Sequence, residues 1–150
     1  MLKDIWKRHA NPWSVWTRFL AIPLMILAIW SRDWIGIWCI VPIAIALVVA
    51  WLVINPFIFK PIENPQTWVS RGIYGEQYWI QKKVAVPLVQ KIINRYLILM
   101  GILGMLLCGY GLYELQICQA IFGAALIVVA QLWRIDRYSI LYDDYISRDL

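Results

Sequence analysis

Residues 35–54, IGIWCIVPIAIALVVAWLVI, run for twenty positions without a charged side chain. At about 1.5 Å per residue a helix of that length covers roughly 30 Å, the thickness of a bilayer's hydrocarbon core. A soluble domain of 150 residues has no core large enough to hide so much apolar surface. The whole composition agrees. Hydrophobic residues make up 62% of the chain and charged ones 15%, against roughly 25% charged in soluble domains. Mean hydropathy is +0.65. Ten Trp and eight Tyr suit a protein with two water–lipid interfaces to line. Pro42 inside the run is tolerable where neighbouring helices re-satisfy the freed carbonyl.

Working outward, Ser31 to Trp34 reads as a tight connection to an earlier helix, approximately residues 13–31. Asn11-Pro12 breaks any helix before it, because the residue ahead of a proline is pushed out of the α region, and Pro12 then suits the first helical position. Phe19 to Trp30, the fully apolar part, is too short to span alone, so Trp13 to Arg18 must enter the interface, and Pro23 is expected to kink the helix. Downstream, Asn55-Pro56 ends the second run and opens a polar segment, 55–95. Within it, Gln66 to Gln81 reads as a short helix and turn at the interface. Trp79 to Arg95 reads as a basic amphipathic helix along the surface, interrupted at Pro87. A third span, 96–112, carries Gly104 and Cys108, small residues four apart that let helices approach closely. Tyr113 to Gln116 turns the chain into a fourth span, 117–133, and Arg134 to Leu150 reads as a polar tail.

The fold class expected is therefore an all-α integral membrane protein in one domain, residues 1–150. It has four transmembrane helices as two helical hairpins, with interfacial helices on the cytoplasmic side. Of fourteen Lys and Arg, only Arg32 falls in either tight loop. By the positive-inside rule both termini and the middle segment are cytoplasmic, in the cytoplasmic (inner) membrane. Lys3, Lys7 and Arg8 ahead of an apolar run resemble a signal peptide, but no small-x-small cleavage site follows, so the segment reads as retained. The net charge of +5 is explained by topology and anionic headgroups, without nucleic acid.

On this topology the polar residues converge on one face: His9, Asn11, Ser14, Thr17, Arg18, Asn55, Arg71, Glu76, Asp136 and Arg137. Arg18 is the sharpest, because a guanidinium below the headgroups costs a few kcal/mol unless something accepts its hydrogen bonds. Glu76, Asp136 or a lipid phosphate are the candidate acceptors. Trp13 and Trp16 share a helix face, either as interfacial anchors or as a platform for a lipid tail. His9 and Glu76 are the only acid–base candidates, and His9 lacks a nucleophile, an oxyanion donor or a GxSxG elbow nearby. No HxxxH or CxxC spacing exists; Cys39, Cys108 and Cys118 read as small hydrophobes, and neither metal nor cofactor is expected. The spans hold no acidic residue at their centres, which argues against a proton-coupled pump.

At His9-Ala-Asn-Pro-Trp-Ser-Val-Trp-Thr-Arg18 the chain resembles an uncharacterised family of small prokaryotic multi-pass membrane proteins, a domain of unknown function. The resemblance continues through Asn55-Pro56, Trp68-Val-Ser-Arg-Gly-Ile-Tyr-Gly-Glu76 with Trp79, and Asp136-Arg137. It implies that these positions occur together in the group, and it names no substrate.

Three functions follow as expectations. The first is a non-enzymatic membrane protein whose cytoplasmic face binds a lipid headgroup, small anion or partner protein through Arg18, Arg71 and Arg137, organised by Glu76 and Asp136. The second is a membrane-embedded enzyme acting on a lipid or isoprenoid, favoured if His9 and Glu76 lie within hydrogen-bond reach. The third is a homo-oligomeric channel or transporter, favoured if the small-residue faces of the third and fourth spans pack between protomers.

Overall fold

The computed structural model describes residues 2–83 and 85–149, and among them every regular element is helical. The order is α1 (Leu2–His9), α2 (Pro12–Trp30), α3 (Arg32–Ile35), a 3-10 turn (Gly36–Cys39), α4 (Ile40–Ile54), a second 3-10 turn (Pro56–Ile58), α5 (Trp68–Ile80), α6 (Leu88–Tyr113) and α7 (Ile117–Asp149). Three helical stretches are long and apolar enough to cross a membrane: Pro12–Leu52, Leu88–Tyr113 and Ile117–Ser147.

The first stretch is not straight. The Ser31 hydroxyl donates back to Ala28 O at 2.7 Å, and Gly36 adopts φ +57, a conformation that side-chain-bearing residues rarely take. The two arms on either side, α2 and α4, pack against each other. Asn11 starts α2: its Oδ1 accepts the Trp13 amide at 3.0 Å, with Pro12 at the first helical position. α4 has only fifteen α-helical residues, about 22 Å, and the 3-10 turn ahead of it adds roughly 8 Å.

α6 and α7 are joined by a turn in which Leu115 takes φ 55 and the Gln116 amide bonds Gly111 O at 2.7 Å. The helices then run together through small residues: a Cβ on Gly123 would lie 2.3 Å from Cys108 N, so only glycine permits this approach. Gly104, Cys108 and Gly111 all face α7 and are buried there. Arg32 links the two turns, donating to Leu112 O and Tyr113 O, carbonyls left without partners at the end of α6.

Two expectations about the polar segments are corrected. Residues 79–95 do not form one surface helix. α5 ends at Ile80, Lys82 reverses the chain at φ 54, and α6 begins directly after Pro87. Proline, lacking an N–H, fits just ahead of a first turn, so Pro87 marks a helix start and not an interruption. Nor is 134–149 a tail: α7 continues unbroken to Asp149. Ile135, Tyr138 and Leu141, three apart, are buried on one face, and the charged residues that made the segment look polar lie around it. That face packs on α5, which runs unbroken through Gly72 and Gly75.

Ala10, Val15, Val69, Ile73 and Ile135 form a buried cluster, with Trp6, Phe19, Trp68 and Tyr74 packed around it. It sits at the end of the molecule formed by α1, α5 and the C-terminal half of α7, the polar end. Away from it the apolar side chains mostly point outward; among the described side chains of α4 only Ala46 is buried. A surface so continuously apolar suits hydrocarbon, not water.

Candidate functional site

The polar end is held by a strap. Residues 55–67 pass alongside α1: the Ile62 amide bonds Lys7 O at 2.9 Å, Lys7 pairs with Glu63 at 2.9 Å, and Arg8 donates to Phe57 O and Phe59 O. The Asn11 Nδ2 donates to Lys60 O at 3.1 Å, and the Tyr74 hydroxyl to Ile62 O at 2.6 Å. The lysine partner holds the Glu63 carboxyl below its ordinary value. Thr67 caps α5, accepting the Ser70 amide, and Ser70, 1% exposed, donates to Ala10 O at 2.6 Å. These bonds fix the break between α1 and α2.

Fixing that break places His9 over the first turns of α2. Ser14, fully buried, and Arg18 lie four apart on one helix face. The Arg18 Nη2 donates to His9 Nδ1 at 2.6 Å and to Ser14 Oγ at 2.7 Å, while its Nε is buried with no acceptor. A guanidinium has no lone pair to offer, so His9 Nδ1 must be the bare nitrogen of a neutral imidazole. Burial, and secondarily the Arg18 charge, lower the His9 pKa from 6.5, which keeps the ring in that form.

Glu76, on α5, lies between two guanidiniums. Its Oε1 is 3.4 Å from Arg134 Nη2, and its charge also acts on Arg18 without a direct ion pair. Burial pushes the Glu76 carboxyl above its ordinary range; Arg134 and then Arg18 oppose the rise. Arg134 is spread over four acceptors: Glu76, Asn94 Oδ1 at 3.2 Å, Gln131 Oε1 at 3.2 Å and the Tyr138 hydroxyl at 3.3 Å. Tyr138 in turn donates to Asn94 Oδ1 at 3.2 Å. The row His9, Arg18, Glu76, Arg134 thus carries two guanidiniums against one carboxylate. Arg18 is the member bonded only to neutral groups.

The remaining expected site residues separate from this row. Arg71 pairs with Asp143 at 3.2 Å. Arg137 pairs with Asp136 at 3.0 Å, and Asp136 also accepts the Trp68 indole N–H at 3.2 Å. Asp136 therefore organises Trp68 and Arg137, and of the carboxylates expected to serve Arg18 only Glu76 acts on it, through charge and not through an ion pair. Asn11 and Asn55 are turn residues, Asn55 Oδ1 accepting the Phe57 amide at 3.1 Å. Trp13 and Trp16, 72% and 48% exposed, face outward. Thr17 bonds back to Trp13 O at 2.6 Å. Among the described residues no cluster could hold a metal ion.

Sequence reasoning missed Arg134, Asn94 and Tyr138. A signal was available: in an antiparallel pair joined by a tight turn, residues equally far from the turn meet. Gly111 against Ala120 and Gly104 against Ile127 follow that rule about Leu115, and it carries Asn94 to the level of Arg134 and Tyr138.

No curated protein and no solved structure matches the chain. A family does, over residues 1–149: the chain belongs to the family of unknown function DUF6653.

Proposed function

We propose that this chain is a four-span, non-enzymatic protein of the cytoplasmic membrane, with both termini inside. Its polar end binds an anionic group, a phosphate-bearing headgroup or a small anion, at Arg18. Four crossings are supported by the break at Ser31 and Gly36, which divides the 12–52 stretch into two arms that pack together. The orientation rests on charge, with Arg32 as the lone basic residue of the turn end.

The binding reading is carried by one observation: Arg18 is partly buried, orphaned at Nε, and bonded only to neutral acceptors. A guanidinium taken out of water costs several kcal/mol unless a counter-charge meets it, and Arg134 already holds the nearest carboxylate. An anion on Arg18 would supply that charge, with Ser14 and His9 orienting the guanidinium.

The two other expectations are less well supported. His9 Nδ1 is engaged by Arg18 and Glu76 by Arg134, and among the described residues no hydrogen bond joins His9 to Glu76. Gly104, Gly111 and Gly123 pack α6 against α7 within one chain, which favours their use inside the protomer over a pore between protomers.

The test is thermal unfolding in neutral detergent with added phosphatidylglycerol, phosphatidylcholine or inorganic phosphate. At a hundredfold excess over Kd an anionic ligand should stabilise the wild type by about 2.7 kcal/mol. Arg18→Gln should remove that gain and leave any phosphatidylcholine effect unchanged. Equal stabilisation of both proteins by the anions would overturn the assignment.

A further inference from the structure

We propose that the ligand is a whole membrane lipid, with its anionic headgroup on Arg18 and one acyl chain in a groove between α2 and α7. This rests on the anion site proposed above and adds the hydrocarbon half of the ligand.

The groove has a volume of about 590 Å³, and every lining residue is apolar or aromatic, among them Ile22, Ile26 and Trp30 of α2 and Ile121, Ala124 and Val128 of α7. Near the polar end Val15 and Ile135 share one core cluster; further along, the groove opens between the two helices. Ile22, the groove-lining residue of α2 nearest the polar end, lies four positions after Arg18, so the guanidinium stands about one turn before the groove on a neighbouring strip of the helix. From Arg18 to Trp30 the helix rises about 18 Å, a little more than one leaflet of a hydrocarbon core roughly 30 Å thick. A lipid headgroup held at Arg18 therefore has a chain of fitting length for the groove beyond it.

Charge chooses between a lipid and the other occupant of such a groove, a helix from a second copy. None of α2, α4, α6 or the 117–133 part of α7 contains an aspartate or glutamate. A second copy would bring no carboxylate to Arg18 at membrane depth, whereas a phospholipid brings a phosphate joined to a chain. Hydrocarbon also fits the lining, which offers no side-chain amide, hydroxyl or charge to satisfy a polar ligand.

The experiment uses the full chain in phosphatidylcholine nanodiscs doped with phosphatidylglycerol bearing a diazirine near the end of one acyl chain. Photolysis and peptide mapping should place label at the far end of the groove, on residues 26–34 and 117–124. Arg18→Gln should cut that label about tenfold, equivalent to about 1.4 kcal/mol. Ala125→Trp, and independently Ile121→Trp at an exposed groove position, fill the groove from α7 and should cut it similarly. Stabilisation by glycerol phosphate should persist in both filling variants, and disappear in Arg18→Gln. Full labelling in both filling variants, with loss in Arg18→Gln, would overturn the groove and leave the anion site standing. Full labelling in Arg18→Gln would overturn both, as would label confined to the outward face of α4. A dimer whose Ile22–Trp30 peptide cross-links to a second copy would overturn the lipid as occupant.

Discussion

At the scale of single residues, the His9–Arg18 contact couples the polar end to pH. His9 is the only histidine, so its imidazole signals can be followed by NMR without assignment doubt. Burial and Arg18 place its titration below 6.5 in the folded protein. As pH falls from 6.5 the unfolded chain takes up a proton that the folded one resists. The His9 contribution to stability is therefore complete above 6.5 and is lost as pH falls through the folded value. We expect a midpoint under 6.5 that rises in Arg18→Gln, and a flatter fall of stability with acid in His9→Gln; a wild-type midpoint at or above 6.5 would refute the contact. Glu76 has the opposite sign, since burial raises its pKa and charging it costs stability as pH rises. Its carboxylate nonetheless serves Arg134 directly, and Glu76→Gln should cost roughly 1–3 kcal/mol in ligand-free unfolding while enlarging the stabilisation given by phosphatidylglycerol. Arg18 was visible in the sequence because a charge beside an apolar run is conspicuous. Arg134 was not, because it stands at the end of such a run, where arginines are commonplace, and only the α6–α7 register brings it to Glu76.

At the scale of elements, α5 is the piece that completes the site, and its seat on α7 depends on backbone proximity. A Cβ on Gly75 would stand 1.9 Å from Tyr138 O, so Gly75→Ala must push α5 off α7 and carry Glu76 away from Arg134. Overpacking of this kind costs about 1–3 kcal/mol. Thermal unfolding should show that loss, and Gly109→Ala, in open space, should show almost none. The glycines of α5 looked in sequence like turn residues, since the helix they would contact lies more than sixty positions on. The long apolar runs were legible because period and length both point to helix. The continuation of α7 to Asp149 was hidden by counting charges instead of asking which face of the helix carried them. The proposed orientation is testable with single cysteines in a chain whose three native ones are replaced by Ala. Glu114→Cys should react with an impermeant maleimide in intact cells, and Ser147→Cys only after permeabilisation; the reverse pattern would invert the topology.

At the scale of the molecule, the chain is unevenly knit. α5, α6 and α7 form one tightly packed unit, while the α2–α4 arm meets it at the polar end and through Arg32 at the turn end, and leaves an apolar groove between. Arg18 lies near the polar-end junction, so an anion bound there would sit where the two units meet. The most direct measurement is native mass spectrometry of the protein extracted gently from its own membrane, beside Arg18→Gln prepared identically. We predict a monomer retaining a phospholipid-sized anionic adduct on the wild type and little or none on the variant. A wild type without an adduct, or the same adduct on both proteins, would contradict an anion site at Arg18.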